Sequence, residues 1–570
     1  MKACDHVADA LHAQGVRHVF EVPGGTIAHL IDALHRRDRV RLVGMHHEQA
    51  AAFAAEGAAR ISGVPGVAMG TSGPGATNLL TGLASCHFDS VPAVFLCGQV
   101  HRDELRRDRP VRQQGFQETD VVAMAGPVSK AAWRLEAPEE IPTRLAEAFA
   151  VALGDRPGPV VLDVPMDLQH QEVTDAPPLR TVPAPPAAPD PAGVARILAD
   201  LAAARRPLIL AGGGVRTAGA AAALRAFAER TGVPVVSSLM GIDVLPSAHP
   251  QRVGMIGTYG NRWANLAVGD ADLLLVLGSR LDIRQTGADT AFFTAGRVVH
   301  HVDVDPAEIN NRVSGCHAHH ADVGAFLAAA LDALGDGPDR LAPWRAEIAG
   351  QRARWPDDRE LAGVPGLNPN AFMHALGRAS AAAAAYVVDV GQHQMWAAQS
   401  LPLGEGQRFL SSGGMGAMGF ALPAAIGAAL TADAPVVVVA GDGGFQVNLQ
   451  ELQTVIGTGL PLKIVVLDNG GHGMVRQFQQ SYFAGRYPST EWGYSAPDFA
   501  RVATAFGIPA TTVSDAADVP RGLAALWRDP AAPALLVVRV DPSANALPKI
   551  AFGRPLTEME PHATPIALDR

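Results

Sequence analysis

The sequence predicts an α/β protein built from three doubly wound parallel-sheet domains, and two observations predict it. Short apolar runs rich in β-branched residues end in glycine turns and pass into amphipathic stretches, the alternation that parallel βαβ units produce. Two stretches interrupt that alternation and leave three lengths of domain size between them.

The alternation begins with Gly66-Val67-Ala68-Met69, followed by the glycine-rich turn from Gly70 to Gly75. The middle of the chain repeats it: Pro207-Leu208-Ile209-Leu210-Ala211 enters Gly212-Gly213-Gly214, and Leu273-Leu274-Leu275-Val276-Leu277 enters Gly278. The last third does so again, with Pro435-Val436-Val437-Val438-Val439-Ala440 entering Gly441. Residues 175–192 break the pattern with Pro177, Pro178, Pro183, Pro185, Pro186, Pro189 and Pro191. Prolines hold the backbone extended and remove amide donors, so this stretch reads as a linker. Residues 335–369 form a weaker break, mixing Gly337-Pro338-Asp339 and Pro356-Asp357-Asp358-Arg359 around a helix expected near residues 344–354. The expected domains are 1–170, 190–335 and 367–550.

With 48% hydrophobic and 18% charged residues in 570, the chain has ample core material and none of the balance of a disordered one. Lys and Arg number 46 against 56 Asp and Glu, a net charge of −10 with no basic run, which excludes the electrostatic footprint of nucleic-acid binding. Four cysteines are too few for a disulfide framework and suit a reducing compartment. Met1-Lys2-Ala3-Cys4-Asp5-His6 lacks the apolar core of a signal peptide, and no stretch approaches about 18 uninterrupted apolar residues. A cytoplasmic protein without membrane attachment is expected.

The most informative segment is Gly441-Asp442-Gly443-Gly444, between one apolar strand and a helical stretch over residues 447–455. A second strand, Leu462-Lys463-Ile464-Val465-Val466-Leu467, ends at Asp468-Asn469-Gly470-Gly471. Consecutive parallel strands joined by a helix place their C-terminal ends on one sheet edge, where ligands of open α/β sheets bind, so Asp442 and Asn469 should face one another. One carboxylate, one amide oxygen and a carbonyl near Gly471 make a hard oxygen half-shell that Mg²⁺ would complete with water and phosphate oxygens. The glycines let backbone approach a diphosphate at a helix N-terminus. A Gly-Asp-Gly turn alone is equally the capped start of an ordinary βα helix; the Asn-Gly-Gly that follows favours the metal site. The spot Cys316-His317-Ala318-His319-His320 has no paired partner at a zinc-like spacing and reads as surface.

Further motifs run through the chain in order: Gly24-Gly25, His47-Glu48, Thr71-Ser72-Gly73-Pro74-Gly75-Ala76-Thr77-Asn78, Gly115-Phe116-Gln117-Glu118, Lys130, Gly391-Gln392-His393-Gln394-Met395-Trp396 and Gly416-Ala417-Met418-Gly419-Phe420. With Gly441-Asp442-Gly443 and Asp468-Asn469 they resemble the large catalytic subunit of acetolactate (acetohydroxyacid) synthase, a thiamine-diphosphate (ThDP) enzyme, from about residue 5 to about residue 545. The resemblance implies a pyrimidine-binding domain, a middle domain that often carries FAD, and a diphosphate-binding domain of the pyruvate oxidase and decarboxylase type. It implies a cofactor that spans two chains, so that a homodimer is the minimum active unit. Pairing into a homotetramer and a regulatory small subunit stay open.

The resemblance also gives each matched residue a role. Glu48 would hydrogen-bond the aminopyrimidine of ThDP and favour the form that removes the thiazolium C2 proton, with Gln117, Lys130 and Phe116 lining the substrate access. Met418 would wedge the two rings into a bend. Pro23, Gly24, Gly73 and Asn78 would shape the pyrimidine side, and Gly391, Gln392, His393, Gly416, Gly443, Gly444 and His472 the diphosphate side. Asp442, Asn469 and Gly471 would hold Mg²⁺. Gly212, Gly213, Arg280 and Asp303 would serve FAD in a structural role, because the reaction has no net redox step. Gly25, Arg284, Met474 and Phe478 would meet substrate. Taken alone, Glu48 reads as a surface acid suited to a helix start, Met418 as core, His393 as a structural histidine and Lys130 as a solvated helix lysine.

The chain departs from the family in four places. The arginine motif that grips the second substrate reads Arg280-Leu281-Asp282-Ile283-Arg284, with Ile283 where an acid would orient Arg284. Phe478 stands where the biosynthetic synthases carry the tryptophan that favours 2-ketobutyrate, Glu21 stands where they carry glycine, and the tail over residues 549–570 differs. The first expectation is a carboligase that decarboxylates pyruvate and joins the hydroxyethyl unit to a second 2-keto acid, in branched-chain amino acid biosynthesis or a secondary pathway. A ThDP decarboxylase, a flavin-dependent pyruvate oxidase, an acyloin-forming carboligase with another acceptor and a non-catalytic nucleotide-binding protein are the alternatives.

Overall fold

The computed structural model describes residues 1–173, 181, 185–335 and 337–566. Three six-stranded sheets, each parallel throughout, account for the alternation. The first contains β1 (His18–Glu21), β2 (Arg41–Gly44), β3 (Gly66–Gly70), β4 (Ala93–Gln99), β5 (Ala131–Arg134) and β6 (Pro159–Pro165), in the order β2-β1-β3-β4-β6-β5. The second contains β7 (Pro207–Ala211), β8 (Val235–Ser237), β9 (Arg252–Met255), β10 (Leu273–Leu277), β11 (Val298–Asp303) and β12 (His317–His320), in the order β12-β11-β10-β7-β8-β9. The third contains β13 (Ala385–Val388), β14 (Arg408–Leu410), β15 (Val436–Gly441), β16 (Leu462–Asp468), β17 (Ala510–Val513) and β18 (Ala534–Arg539), in the order β14-β13-β15-β16-β18-β17. Central strands such as β4, β10 and β16 are buried along their whole length, as strands covered on both faces must be.

The first and third sheets share one winding order, and their equivalent helices pack on each other. Helix Glu48–Ser62 follows β2 and helix Ala421–Ala432 follows β14. The first is alanine-rich, with His47 accepting from the amide of Gln49 at its start and Gly63 left-handed (φ 74°) at its end. Where the two cross, a Cβ added at Gly57 would lie 2.0 Å from the carbonyl oxygen of Ala424, and one at Gly427 would lie 1.8 Å from that of Ala54. Backbone therefore meets backbone from both sides. Gly57→Ala is expected to cost about 1–3 kcal/mol by overpacking, whereas Gly126→Ala, whose added Cβ meets nothing within 4 Å, should stay within about 0.5 kcal/mol. Denaturant unfolding of both variants checks this.

Charged joints hold the middle sheet against the others. Asp243 accepts from Arg216 (3.0 Å) and from Arg408 (2.9 Å), and Arg156 bridges to Asp305 (3.1 Å) and Glu308 (2.6 Å). The tail closes as a short antiparallel pair, Lys549–Ile550 against Met559–Glu560, and the Ile550 amide donates to Thr258.

The proline-rich stretch lies largely outside the described residues, although Asp190 caps helix Pro191–Ala203. The helix expected near residues 344–354 spans Ala342–Arg354. The one expected over residues 447–455 instead begins at Asp442, stops at Val447 and resumes over Leu452–Thr458. Asn448 breaks it, its side chain donating to the Gly419 carbonyl at 2.8 Å.

Candidate active site

β15 and β16 are neighbours in the third sheet, and their C-terminal ends bring Asp442 and the Asn469–Gly471 turn together. Asp442 Oδ2 accepts from the amide of Gly471 at 3.0 Å. Asn469 is oriented from its nitrogen, which donates to Gln392 Oε1 (3.1 Å), while Gln392 donates to Gln477 (3.1 Å). This leaves Asn469 Oδ1 free as an acceptor. Burial pushes the Asp442 carboxyl up to about 6, a penalty that a cation on its free oxygen would offset. Among the described residues no three His, Cys, Asp or Glu side chains converge on a metal; the oxygen set here uses an amide and backbone instead, which suits a hard cation.

The glycines around it are steric necessities. A Cβ added at Gly443 would lie 2.7 Å from the His472 ring and 3.4 Å from Met418 Cε, so Met418 stands directly over this turn. Gly391 and Gly441 both make room for the His393 imidazole. That ring is buried, its Nε2 has no partner, and burial pushes it down to about 3, so it is neutral and offers an orphaned polar atom to a ligand. A cavity of about 450 Å³ opens beside Gly443, Gln446, His472 and Tyr494. Gly416 is left-handed (φ 65°), with nothing near its Cβ position.

Two residues of this edge carried no motif. Asp389, at the end of the β13 run, accepts from the amides of Val390, Gly419 and Ala421 at 2.8–3.1 Å and so holds the Met418 loop; burial pushes it up to about 6. Its signal was present, an acid closing an apolar strand like Asp442 and Asp468. Tyr494 donates to Asp442 Oδ2 at 2.9 Å, and burial together with that carboxylate pushes its phenol up. It lies 52 residues away, in an irregular loop with no local signal.

On the first sheet, Glu48 starts its helix and is buried rather than exposed. Its Oε2 accepts from Asn78 Nδ2 at 2.9 Å, and Oε1 lies 3.4 Å from where a Gly75 Cβ would be. Pro23-Gly24-Gly25 interlocks with the Thr71-Ser72 turn: Thr26 Oγ1 lies 2.8 Å from Thr71 Oγ1 and accepts from the Ser72 amide at 2.9 Å. A Gly24 Cβ would strike Thr71, whereas the space at Gly25 is open. Gln117, left-handed at φ 65°, reaches the same edge against Gly73, and Phe116 beside it is 84% exposed. Glu21, also at this edge, is buried with Oε2 unpartnered, and burial pushes it up to about 7.

Lys130 precedes β5, at the opposite edge of the first sheet from β2, which Glu48 follows, and its ammonium donates to the Gly154 carbonyl at 2.6 Å.

A second cavity of about 520 Å³ lies where the three sheets meet, lined by Gly213, Arg280, Arg284, Asp303 and Met395 among others. Gly212 is not on its wall; its Cβ position is 2.0 Å from the Gly278 carbonyl oxygen, so it serves the chain crossing. Asp303 is pushed up to about 6 by burial. Asp282 caps the amides of Arg284 and Gln285, Ile283 is exposed, and the Arg284 guanidinium rests 3.8 Å from Met395 Sδ. Met474 is half-buried, and Phe478 is exposed on the same helix, its ring 4.7 Å from Tyr482. The His317–His320 strand is an edge strand, where His300 bridges His319 and Asp200 at 3.0 Å each. Cys4, Cys86, Cys97 and Cys316 are buried thiols, and among the described residues no helix is long and apolar enough to cross a membrane.

Comparison with known proteins matches three family models in order. They are the N-terminal TPP binding domain of thiamine pyrophosphate enzymes over residues 1–124, the central domain over 194–330 and the C-terminal TPP binding domain over 389–538. The acetolactate synthase isozyme 2 large subunit of Escherichia coli is 39% identical, covering 98% of this chain and 99% of that protein. The acetolactate synthase large subunit of Parasynechococcus marenigrum is 38% identical over 97% of this chain and 89% of that protein. Probable acetolactate synthase 2, chloroplastic, of Oryza sativa is 39% identical over 96% and 84%. Three parallel sheets in the matching order, and identity sustained along nearly the whole length, place this chain in the acetolactate synthase large-subunit family of thiamine-pyrophosphate enzymes.

Proposed function

We propose that this chain is a ThDP- and Mg²⁺-dependent carboligase that decarboxylates pyruvate and joins the two-carbon unit to a second 2-keto acid. The observation that carries the reading is the pairing of two prepared edges, a buried Glu48 on the first sheet and the Asp442–Asn469–Gly471 oxygen set on the third. When bound, ThDP supplies a carbanion centre and an electron sink for the loss of CO₂.

Asp442, Asn469 and the Gly471 carbonyl would hold the cation, with Gly443, Gly444, Gln392, His393 and His472 around the diphosphate; the orphaned His393 Nε2 and the cavity beside Gly443 and His472 fit such a group. Glu48 would hold and return a proton at Oε1, the oxygen that Asn78 leaves free. Met418 would set the bend of the cofactor over Gly443. Glu48 makes no hydrogen bond to the 442 or 469 turns of its own chain among the described residues, which supports a homodimer in which each site takes one edge from each subunit. The relatives from Parasynechococcus marenigrum and Escherichia coli are large subunits by name, which supports a small regulatory partner. The buried thiols support a reducing, cytoplasmic setting.

The 520 Å³ cavity with its glycines, Arg280 and Asp303 suits a dinucleotide such as FAD; the visible absorption of the purified protein tests it. Arg284 lines the same cavity and would grip the acceptor carboxylate. Arg284→Ala is expected to lower kcat/KM for the acceptor by about 10–100-fold, the value of a charge-assisted hydrogen bond. An unchanged value would remove Arg284 from the acceptor site. The reading itself is tested by incubating the protein with ThDP, Mg²⁺ and pyruvate, with and without 2-ketobutyrate. Acetolactate by mass spectrometry supports it, CO₂ with acetaldehyde points to a decarboxylase, and the ratio to acetohydroxybutyrate reports what Phe478 does.

A further inference from the structure

The metal-side carboxylate is held from two directions. Oδ2 of Asp442 accepts from the Gly471 amide (3.0 Å) and from Tyr494 Oη (2.9 Å), and the Gly443 amide also favours the charged carboxylate. Tyr494 is itself fixed: Gln446 Nε2 donates to its hydroxyl at 3.2 Å, and its ring stands edge-on to His472 at 4.9 Å. The segment carrying it, residues 484–495, is joined to the same turn a second time, because the His472 amide donates to the Thr490 carbonyl at 3.0 Å. A Cβ at Gly471 would lie 2.4 Å from that carbonyl oxygen, so segment and turn are in direct contact.

We propose that Tyr494 is a positioning residue for the cation: by occupying Oδ2 it turns Oδ1 of Asp442 toward the metal, and it couples residues 484–495 to metal occupancy. This rests on the reading of Asp442 as a Mg²⁺ ligand. Hydrogen bonds to the outer oxygen of a ligating carboxylate fix its orientation, and losing such a partner typically costs 10–100-fold in metal affinity.

The test is calorimetric titration of the ThDP-saturated, metal-stripped protein with Mg²⁺. Tyr494→Phe keeps the ring against His472 and removes only the hydroxyl; it should raise the Mg²⁺ Kd by about 10–100-fold, and excess Mg²⁺ should recover the turnover lost at limiting metal. Trp492→Phe alters the same segment without touching Asp442 and should leave the Kd within about twofold, well short of the cost of losing an outer partner. A wild-type Kd in Tyr494→Phe overturns the proposal. So does a tighter one, which would make the hydroxyl a competitor of the cation, and so does an equal loss in Trp492→Phe, which would make the effect one of loop packing. Failure of the wild-type protein to take up Mg²⁺ at all overturns the reading of Asp442 and this inference together.

Discussion

Glu48→Gln is expected to lower turnover of pyruvate by about 10²–10⁴-fold, the contribution of a positioned proton-transfer group, while the fold is retained. The amide is nearly isosteric. Its oxygen can still accept from Asn78 Nδ2, and no buried donor is stranded, so the unfolding midpoint should stay close to wild type. What the amide lacks is a site that gains and loses a proton at Oε1. The check is kcat at saturating ThDP, Mg²⁺ and pyruvate, beside a thermal unfolding curve. Full activity in a folded variant would remove Glu48 from the mechanism, and loss of folding would make the kinetic result uninformative about protons but decisive against a replaceable surface acid.

Asp442→Ala is expected to abolish Mg²⁺-dependent ThDP binding over any practical concentration range. The substitution removes one of three protein ligands of a hard cation, which must cost more than the roughly 10–100-fold that outer partners cost. It also strands two donors, the Gly471 amide and the Tyr494 hydroxyl, each left unsatisfied at about 1–3 kcal/mol. Quenching of intrinsic fluorescence by ThDP, titrated with and without Mg²⁺, reads the effect. If ThDP binds the variant as tightly as wild type, the oxygen set at β15 and β16 is not the metal site.

Much of this arrangement was legible before any coordinates. The apolar runs at Leu273–Leu277 and Val436–Gly441, each entering a glycine turn, read as buried parallel strands, and two such strands ending in Asp442 and Asn469 put those side chains on one edge by topology. Tyr494 was not legible, because a loop residue is placed by the path of the chain and not by any period in the sequence. The place of Lys130 was not legible for a related reason: a lysine beside a strand can sit at either edge, and only the pairing of β5 on β6 decides which. That glycine is required at Gly212 by the backbone of Gly278 was not legible, because the two turns are far apart in sequence. Glu21 was visible as a departure from the family, but nothing in the sequence showed that its carboxyl would be buried without a partner.

The crossing of Glu48–Ser62 over Ala421–Ala432 has a mechanical consequence. A joint whose closest approach is backbone on backbone at Gly57 and Gly427, with the Phe53 and Phe420 rings edge to face at 5.4 Å beside it, has little play, because it leaves no gap to compress. The first and third sheets therefore behave as a single jaw. Whatever yielding the molecule needs to admit a substrate and release a larger product must be borne by parts hung on the jaw, the loop carrying Phe116 and Gln117, the segment carrying Tyr494 and the tail pair that Ile550 pins to Thr258.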